Sequence, residues 1–307
     1  MLKPVSRIFH SLLLLILVGT FGSIVYYIKT PSIGPSLAPA ATRTPIPVPL
    51  VSDTSIPDTG WSLLGPGLER RVIQIYNDQN QRVESVYVWR LDQNHFRMDV
   101  AFDGNPKSLE AWQKETNAAL VVNGGYFSIE NERYFADGLT IVNGEASGRS
   151  FEGFGGMLAI DQSRAELRWL VQEPYDFYEP LRAALQSFPI LVRPGGELGF
   201  GPERENYASA RRTVIGQDQA GRILFIVAPE GYFTLHQLSV YLTGSDLNLD
   251  IAVNLDGGGS TGILVANPRE VIPAKVLLPF VILVYARLTY ELNVCVKIST
   301  RAIRQSQ

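Results

Sequence analysis

The sequence predicts an α+β fold: a strand-rich mixed sheet core with a few short helices, preceded by one N-terminal transmembrane helix. Three observations lead there. Apolar, β-branched runs recur from Arg71 to Tyr285, and some alternate with polar residues at the period of a half-buried strand. Helical patterns are confined to short segments near Ser108, Glu179 and Thr234. Ile8–Ile28 carries no charged residue and contains the run Leu12-Leu-Leu-Leu-Ile-Leu-Val18, long enough to cross a bilayer.

The 307 residues allow one large domain or two small ones with ample core. A net charge of −3 leaves no basic footprint for nucleic acid. Cys295 is the single cysteine, which excludes an intramolecular disulfide and a cysteine-based metal cluster. The three histidines, His10, His95 and His236, are too scattered for a local zinc motif.

Taken in order, Lys3 and Arg7 precede the apolar segment and favour a cytoplasmic N-terminus. Residues 1–29 therefore read as a cytoplasmic stub and signal anchor, with the main domain periplasmic or extracellular. The alternative is secretion after cleavage near Ala38-Pro-Ala40, although those residues lie well past the apolar run. Residues 30–60 form a linker in which Pro31, Pro35, Pro39, Pro45, Pro47, Pro49 and Pro57 favour extended, solvated chain. The folded domain spans 61–288, and residues 289–307 are a tail without a clear place in it.

Within the domain, Arg71–Tyr76, Val83–Leu91 and Phe96–Phe102 read as strands. In the last, Phe96, Met98, Val100 and Phe102 share one face. Ser108 caps a short helix to about Ala118, with Leu109 and Trp112 on one side. Ala119–Val122, Gly138–Val142 (closed by the Asn143-Gly144 turn), Met157–Ile160 and Glu166–Val171 follow as strands. Glu179–Gln186 reads as a helix ending before Pro189. Arg212–Gly216 and Arg222–Val227 pair across Gln217–Gly221. Thr234-Leu-His-Gln237 is a capping box opening a helix with Leu235, Leu238 and Leu242 inward and Gly244 at its end. Asp250–Leu255 and Val276–Tyr285 are the last long strands, and Pro279 marks the second as an edge or a bulge.

The stretch Ile251-Ala-Val-Asn-Leu-Asp-Gly-Gly-Gly-Ser-Thr-Gly-Ile-Leu-Val265 carries the chemistry. It reads as strand, bare-backbone turn, strand. The Gly257, Gly258 and Gly259 amides are placed to form an anion-binding nest, with Ser260 and Thr261 adding hydroxyls and Asp256 a carboxylate. The plain alternative is a hairpin turn capped by Asp256. No lysine follows the glycines, so this is not a P-loop. Gly153-Phe-Gly-Gly156 lacks the amphipathic helix of a dinucleotide site.

A second glycine turn, Asn123-Gly124-Gly125-Tyr126-Phe127, ends the strand Ala119–Val122. These two turns, with Asp137-Gly138, Ser187-Phe-Pro-Ile-Leu191 and Arg212-Thr213 between them, resemble the phosphodiester glycosidase family over roughly Leu120 to Arg287. The resemblance implies hydrolysis of a sugar-1-phosphodiester to free sugar and a phosphomonoester. It also implies a mixed α+β domain with a strand-rich core. Where members of that family often carry an Asp-Gly-Arg-like turn, this chain has Ala228-Pro-Glu-Gly231, so a substrate-contacting arginine is missing there.

Such chemistry needs a positively polarised phosphate site and a carboxylate near C1. Arg212 offers a planar fork of donors, or is an ordinary ion-pair arginine. Thr213 offers a hydroxyl, or is a β-branched strand residue. Asp256 is the expected carboxylate at C1, as nucleophile or as base for water. Asp137 and Glu230 are candidates for a second acid, or turn residues. Asn123, Tyr126 and Asn254 are expected at sugar or phosphate, with Gly124 and Gly125 beside them, or the aromatic ring belongs to the core. No cofactor is required. A hard cation such as Ca²⁺ suits the Asp and Asn side chains near the glycine turn, yet no loop has EF-hand spacing. The expected partner is a phosphorylated glycan or sugar-1-phosphodiester of the cell envelope, with the membrane reached through residues 8–28. Two rival readings remain: a non-catalytic envelope module that binds phosphoglycan, and a phosphodiesterase that cuts P–O.

Overall fold

The computed structural model describes residues 57–287 apart from 152 and 154. The expected anchor, most of the linker and the tail lie outside the described residues. Among the described residues no helix is long and apolar enough to cross a membrane.

Every pairing among the described strands is antiparallel, so the expected mixed sheet resolves into separate antiparallel sheets. The largest has eight strands in the order Ser62–Gly65, Leu68–Tyr76, Arg82–Leu91, Ile223–Ala228, Arg212–Asp218, Leu249–Asn254, Ile190–Arg193 and Glu197–Leu198. A five-stranded sheet runs Ala165–Trp169, Gly156–Ile160, Ala183–Ser187, Thr140–Val142 and Glu145–Ser147. Another five-stranded sheet runs Glu270–Ile272, Ile263–Val265, Leu120–Asn123, Leu278–Ala286 and Phe96–Lys107. A two-stranded hairpin, Phe127–Glu130 with Arg133–Ala136, stands by itself.

One core joins the three large sheets. Trp89, Phe225 and Val253 from the eight-stranded sheet meet Leu158 and Leu185 from one neighbour and Val122, Phe280 and Ile282 from the other. The opposite face of the large sheet, with Val88, Val214 and Ile226, is covered by Leu238 and Leu242 of the helix Leu235–Thr243. Its central strands are thus buried on both faces. Ile223–Ala228 is buried at every position, which is why it reads as an unbroken apolar run rather than an alternation. In Leu278–Ala286 alternation survives: Phe280, Ile282 and Val284 face the shared core, while Val281 and Leu283 face Leu109 and Trp112 of the helix Leu109–Thr116.

Both capped helices form as the sequence indicates. Ser108 accepts from the Ala111 N–H, and Thr234 and Gln237 exchange both bonds of a capping box. Asn117 ends the first helix in the left-handed region. Pro279 sits at a register shift between Leu278 and Phe280, in a strand paired on both sides, so the bulge and not the edge accommodates it.

The helix expected at Glu179–Gln186 is corrected: Ala183–Ser187 is a strand, buried at all five positions. It is paired with Gly156–Ile160 on one side and Thr140–Val142 on the other. A helix would have buried only one stripe of this segment. Small side chains at Ala183 and Ala184 let the sheet pack on both faces, and that burial outweighs helix propensity. The short strands Ser62–Gly65, Phe127–Glu130, Arg133–Ala136, Glu145–Ser147, Ile190–Arg193, Glu197–Leu198 and Glu270–Ile272 had no sequence expectation. Most are too short for a periodic pattern to emerge.

Candidate active site

The two glycine turns meet. Leu249–Asn254 delivers the chain to Asp256, and Leu120–Asn123 delivers it to Gly124, from different sheets. The Asp256 N–H donates to the Gly124 carbonyl (3.1 Å), and the Asn123 side-chain amide donates to the Asp256 carbonyl (2.7 Å). Asn123 Oδ1 accepts from the Thr213 hydroxyl (2.8 Å) and from the Gly262 N–H (3.1 Å). The polar ends of Asn123 are therefore engaged by protein, and so is the Thr213 hydroxyl. Both residues lie in the site as expected, but as a buried clamp and not as groups turned to a ligand.

The glycines serve close packing more than the expected nest. A side chain at Gly124 would meet Phe280, one at Gly125 would meet the Gln186 carbonyl, and one at Gly257 would meet the Arg211 carbonyl at 2.8 Å. Gly258, with φ of 58°, needs glycine for its backbone. The Gly257 N–H donates to Asp256 Oδ1 (2.8 Å) and the Gly258 N–H to the Arg211 carbonyl (2.8 Å). Of the three amides only that of Gly259 finds no acceptor among the described residues. The cradle predicted from the glycines thus has one available amide.

Asp256 is 4 % exposed. Burial pushes its carboxyl up to about 6, against the opposing pull of the Ser260 hydroxyl and the Gly257 N–H, with the Asp137 charge pushing the same way as burial. Asp137 is itself raised by burial, while the Ser128 hydroxyl acts in the opposite direction. Its N–H donates to the Tyr126 carbonyl (2.8 Å), so the hairpin between Tyr126 and Asp137 returns both residues to the Asp256 side. Of the two candidate second acids, Asp137 is the one whose charge acts on Asp256.

Tyr126 stacks on Phe188 at 4.6 Å and accepts from the Asn254 side-chain amide (2.6 Å). Burial raises the phenol, Asp256 raises it further and Arg212 opposes, so it stays neutral at any working pH. Because Asn254 supplies a donor to its oxygen, the phenolic hydrogen is left to point elsewhere. Asn254 also donates to the Leu255 carbonyl (2.8 Å), and its Oδ1 is buried without a partner, as is the Thr261 hydroxyl.

Arg212 is 8 % exposed. Its guanidinium donates to the carbonyls of Phe233 (3.2 Å) and Ala208 (2.7 Å) and forms no salt bridge among the described residues. Burial lowers its pKa, with the charges of Tyr126 and Glu205 opposing. Two of its five N–H donors reach carbonyls, which do not neutralise its charge, and a buried cation in that condition favours an anionic ligand.

Glu230 is not part of this group. Its carboxylate pairs with Arg82 and accepts from the Ser85 hydroxyl (3.1 Å). The reason lies in Glu84, which no sequence signal marked. This fully buried carboxylate accepts the backbone N–H groups of Glu230, Gly231 and Tyr232 at 2.9–3.1 Å, fixing the turn with the Glu230 side chain directed at Arg82. The Ser85 N–H donates to the Glu84 carboxylate as well (3.1 Å); replacing Glu84 with alanine is expected to lower stability by ~3 kcal/mol, since four amides lose this acceptor, and urea unfolding measures it. Arg211 was also missed. It links the turns by donating to the Pro229 and Pro273 carbonyls (2.9 Å each), and its Nη1 is buried without a partner. Its only signal was adjacency to Arg212. No group of His, Cys, Asp and Glu suited to a metal ion occurs among the described residues.

A buried carboxyl that feels the charge of a second acid, and a buried guanidinium without a salt bridge among the described residues, both act on the Tyr126 phenol. The profile of the phosphodiester glycosidase family matches residues 116–284, more than half of the chain, and the chain belongs to that family. Its fold is similar to the catalytic domain of zebrafish N-acetylglucosamine-1-phosphodiester α-N-acetylglucosaminidase, auto-inhibited by its pro-peptide. That likeness has a TM-score of 0.58 at 18 % identity, covering 73 % of this chain and 85 % of that one. A hypothetical protein from Synechocystis is more distant, with a TM-score of 0.49 at 12 % identity over 72 % of this chain and 62 % of that one. A putative exported protein from Burkholderia pseudomallei gives 0.47 at 13 % identity over 67 % and 74 %. Comparison with curated proteins gave no match.

Proposed function

We propose that the domain hydrolyses the C1–O bond of a glycosyl-1-phosphodiester in envelope or extracellular glycan, releasing free sugar and a phosphomonoester. The observation that carries this reading is the buried Arg212 guanidinium, held by the Phe233 and Ala208 carbonyls without a salt bridge among the described residues, whose charge acts on the same Tyr126 phenol as that of Asp256. In this reading Arg212 holds the phosphate, and the Gly259 amide and the Tyr126 hydroxyl donate to its oxygens. Asp256 acts at C1 as nucleophile or as base for water. The departing phosphomonoester has a second pKa of roughly 6 and leaves without full protonation. Asp137 then serves chiefly to hold the Asp256 carboxyl high, and as a proton acceptor where water is activated. The apolar N-terminal segment supports a membrane-tethered domain on the outer side of the membrane.

The test incubates the full chain with a panel of sugar-1-phosphodiesters in ¹⁸O-water and assays reducing sugar. Label in the sugar supports the proposal. Label in the phosphate means P–O cleavage, and binding without turnover means a phosphoglycan-binding module.

Two results follow from the geometry. Asp256 works ionised, so kcat/KM is expected to fall tenfold per pH unit below about 6, the value at which its carboxyl titrates, with no basic limb from Tyr126. A flat profile between pH 4.5 and 7.5 would remove Asp256 from the reacting centre. Arg212→Lys keeps the charge but loses the planar fork, and kcat/KM should drop ~10²-fold with little change in thermal midpoint. An unchanged kcat/KM would take phosphate recognition away from Arg212.

A further inference from the structure

We propose that the ring of Phe135 is the surface on which the sugar of the substrate rests. The inference depends on the reading of the site as one for a glycosyl-phosphodiester and adds to it a contact for the sugar, where Arg212 takes the phosphate.

The hairpin Phe127–Glu130 with Arg133–Ala136 pairs with no other strand among the described residues, and both its ends are fixed at the catalytic turn. Before it, the Gly124 carbonyl accepts from the Asp256 N–H (3.1 Å), and Tyr126 accepts from the Asn254 side chain (2.6 Å). After it, the Asp137 N–H donates to the Tyr126 carbonyl (2.8 Å). Within the hairpin Phe127 pairs with Ala136, Ser128 with Phe135, Ile129 with Tyr134 and Glu130 with Arg133. The bond from Asp137 to Tyr126 carries this register one step further. Directly opposed residues share a face, and faces alternate along each strand. Tyr126, Ser128, Glu130, Arg133, Phe135 and Asp137 therefore lie on one side, and Phe127, Ile129, Tyr134 and Ala136 on the other.

The second side is structural: Ala136 packs against the main core, and the rings of Phe127 and Tyr134 lie 5.8 Å apart. The first side carries two residues of the site at its base. Phe135 is the next position outward from Asp137 on that side, about 7 Å along the strand. Its ring is 46 % exposed, so the core does not claim it. Arg133 opposes Glu130 and offsets it, leaving Asp137 as the net charge of this face. A neutral sugar fits there better than a second phosphate. The flat ring suits the apolar C–H face of a pyranose, with the polar groups of Ser128 and Arg133 beside it for the hydroxyls.

The experiment measures binding to the full chain by calorimetry, with glucose 1-phosphate, N-acetylglucosamine 1-phosphate and inorganic phosphate as probes, so it does not depend on turnover. Phe135→Ala is expected to weaken the sugar phosphate that the parent binds more tightly by about tenfold and to leave inorganic phosphate within about twofold. Phe135→Leu, which keeps apolar bulk without a flat face, should show the same loss, and Phe135→Trp should bind as the parent does. Ile129→Ala, on the other face of the same hairpin, should leave every probe unchanged. All four side-chain changes lie at exposed positions, so the thermal midpoint should not move. Equal weakening of sugar phosphate and phosphate, no weakening of either, full binding by Phe135→Leu, or an equal loss in Ile129→Ala overturns the proposal and leaves the phosphate reading standing. A parent that binds inorganic phosphate as tightly as both sugar phosphates does the same. If the parent binds no probe, both readings fall together.

Discussion

Asp256→Asn is expected to abolish sugar release, by ~10³-fold or more, while making the protein more stable at neutral pH. The first half follows from the carboxylate's place at the reacting carbon. The second follows from burial. The folded-state value of about 6 lies above the ordinary 3.8, so between those values the folded protein keeps a proton that the unfolded chain has released. Stability therefore falls as pH rises through that window and stays low above it. The interval amounts to ~3 kcal/mol. Asparagine can still accept from the Gly257 N–H without carrying the charge, so the variant escapes the decline. Urea unfolding of both proteins at pH 4 and pH 7.5 reads the difference, because the other carboxylates cancel between them. A variant less stable than the parent at pH 7.5 would mean that the ionised carboxylate supports the fold, contrary to its role as a strained functional group.

The other large effect is expected at Asn123, where the change is structural. Asn123→Ala strands the Asp256 carbonyl, the Thr213 hydroxyl and the Gly262 N–H, all inside the protein. The expected cost is ~3–5 kcal/mol. Thr213→Val removes only one of these bonds and should cost ~1–2 kcal/mol, and the double variant should be less destabilised than the sum, since both changes break the same contact. Denaturant midpoints of the three variants decide it. Full additivity would show that Asn123 and Thr213 act independently and that the clamp does not exist. Activity should fall in Asn123→Ala even where the protein remains folded, because the Asp256 backbone hangs from that amide.

These two residues mark where the sequence is informative and where it is not. Local rules found Ser108, Thr234 and Gln237, because a cap is satisfied by residues three apart. The same rules found the long strands, whose burial writes a period or an unbroken apolar run into the chain. They failed at Ala183–Ser187, where the strand is specified by neighbours at Gly156–Ile160 and Thr140–Val142 rather than by its own propensity. They could not separate the roles of Asn123 and Asn254, each of which ends a strand before a glycine turn.

By itself the sequence determined the strand-rich class, the two caps, the glycine turns and the presence of Asp256, Asp137, Tyr126 and Arg212. Each of those signals lies in a residue's own type and its near neighbours. The tertiary structure alone decided that the charge of Asp137 acts on Asp256 while Glu230 turns to Arg82, that Asn123 and Thr213 clamp the turns, and that Arg212 is buried without a salt bridge among the described residues. Those outcomes depend on hydrogen bonds and charges between residues far apart in the chain, and burial sets their strength by removing the water that would otherwise screen them.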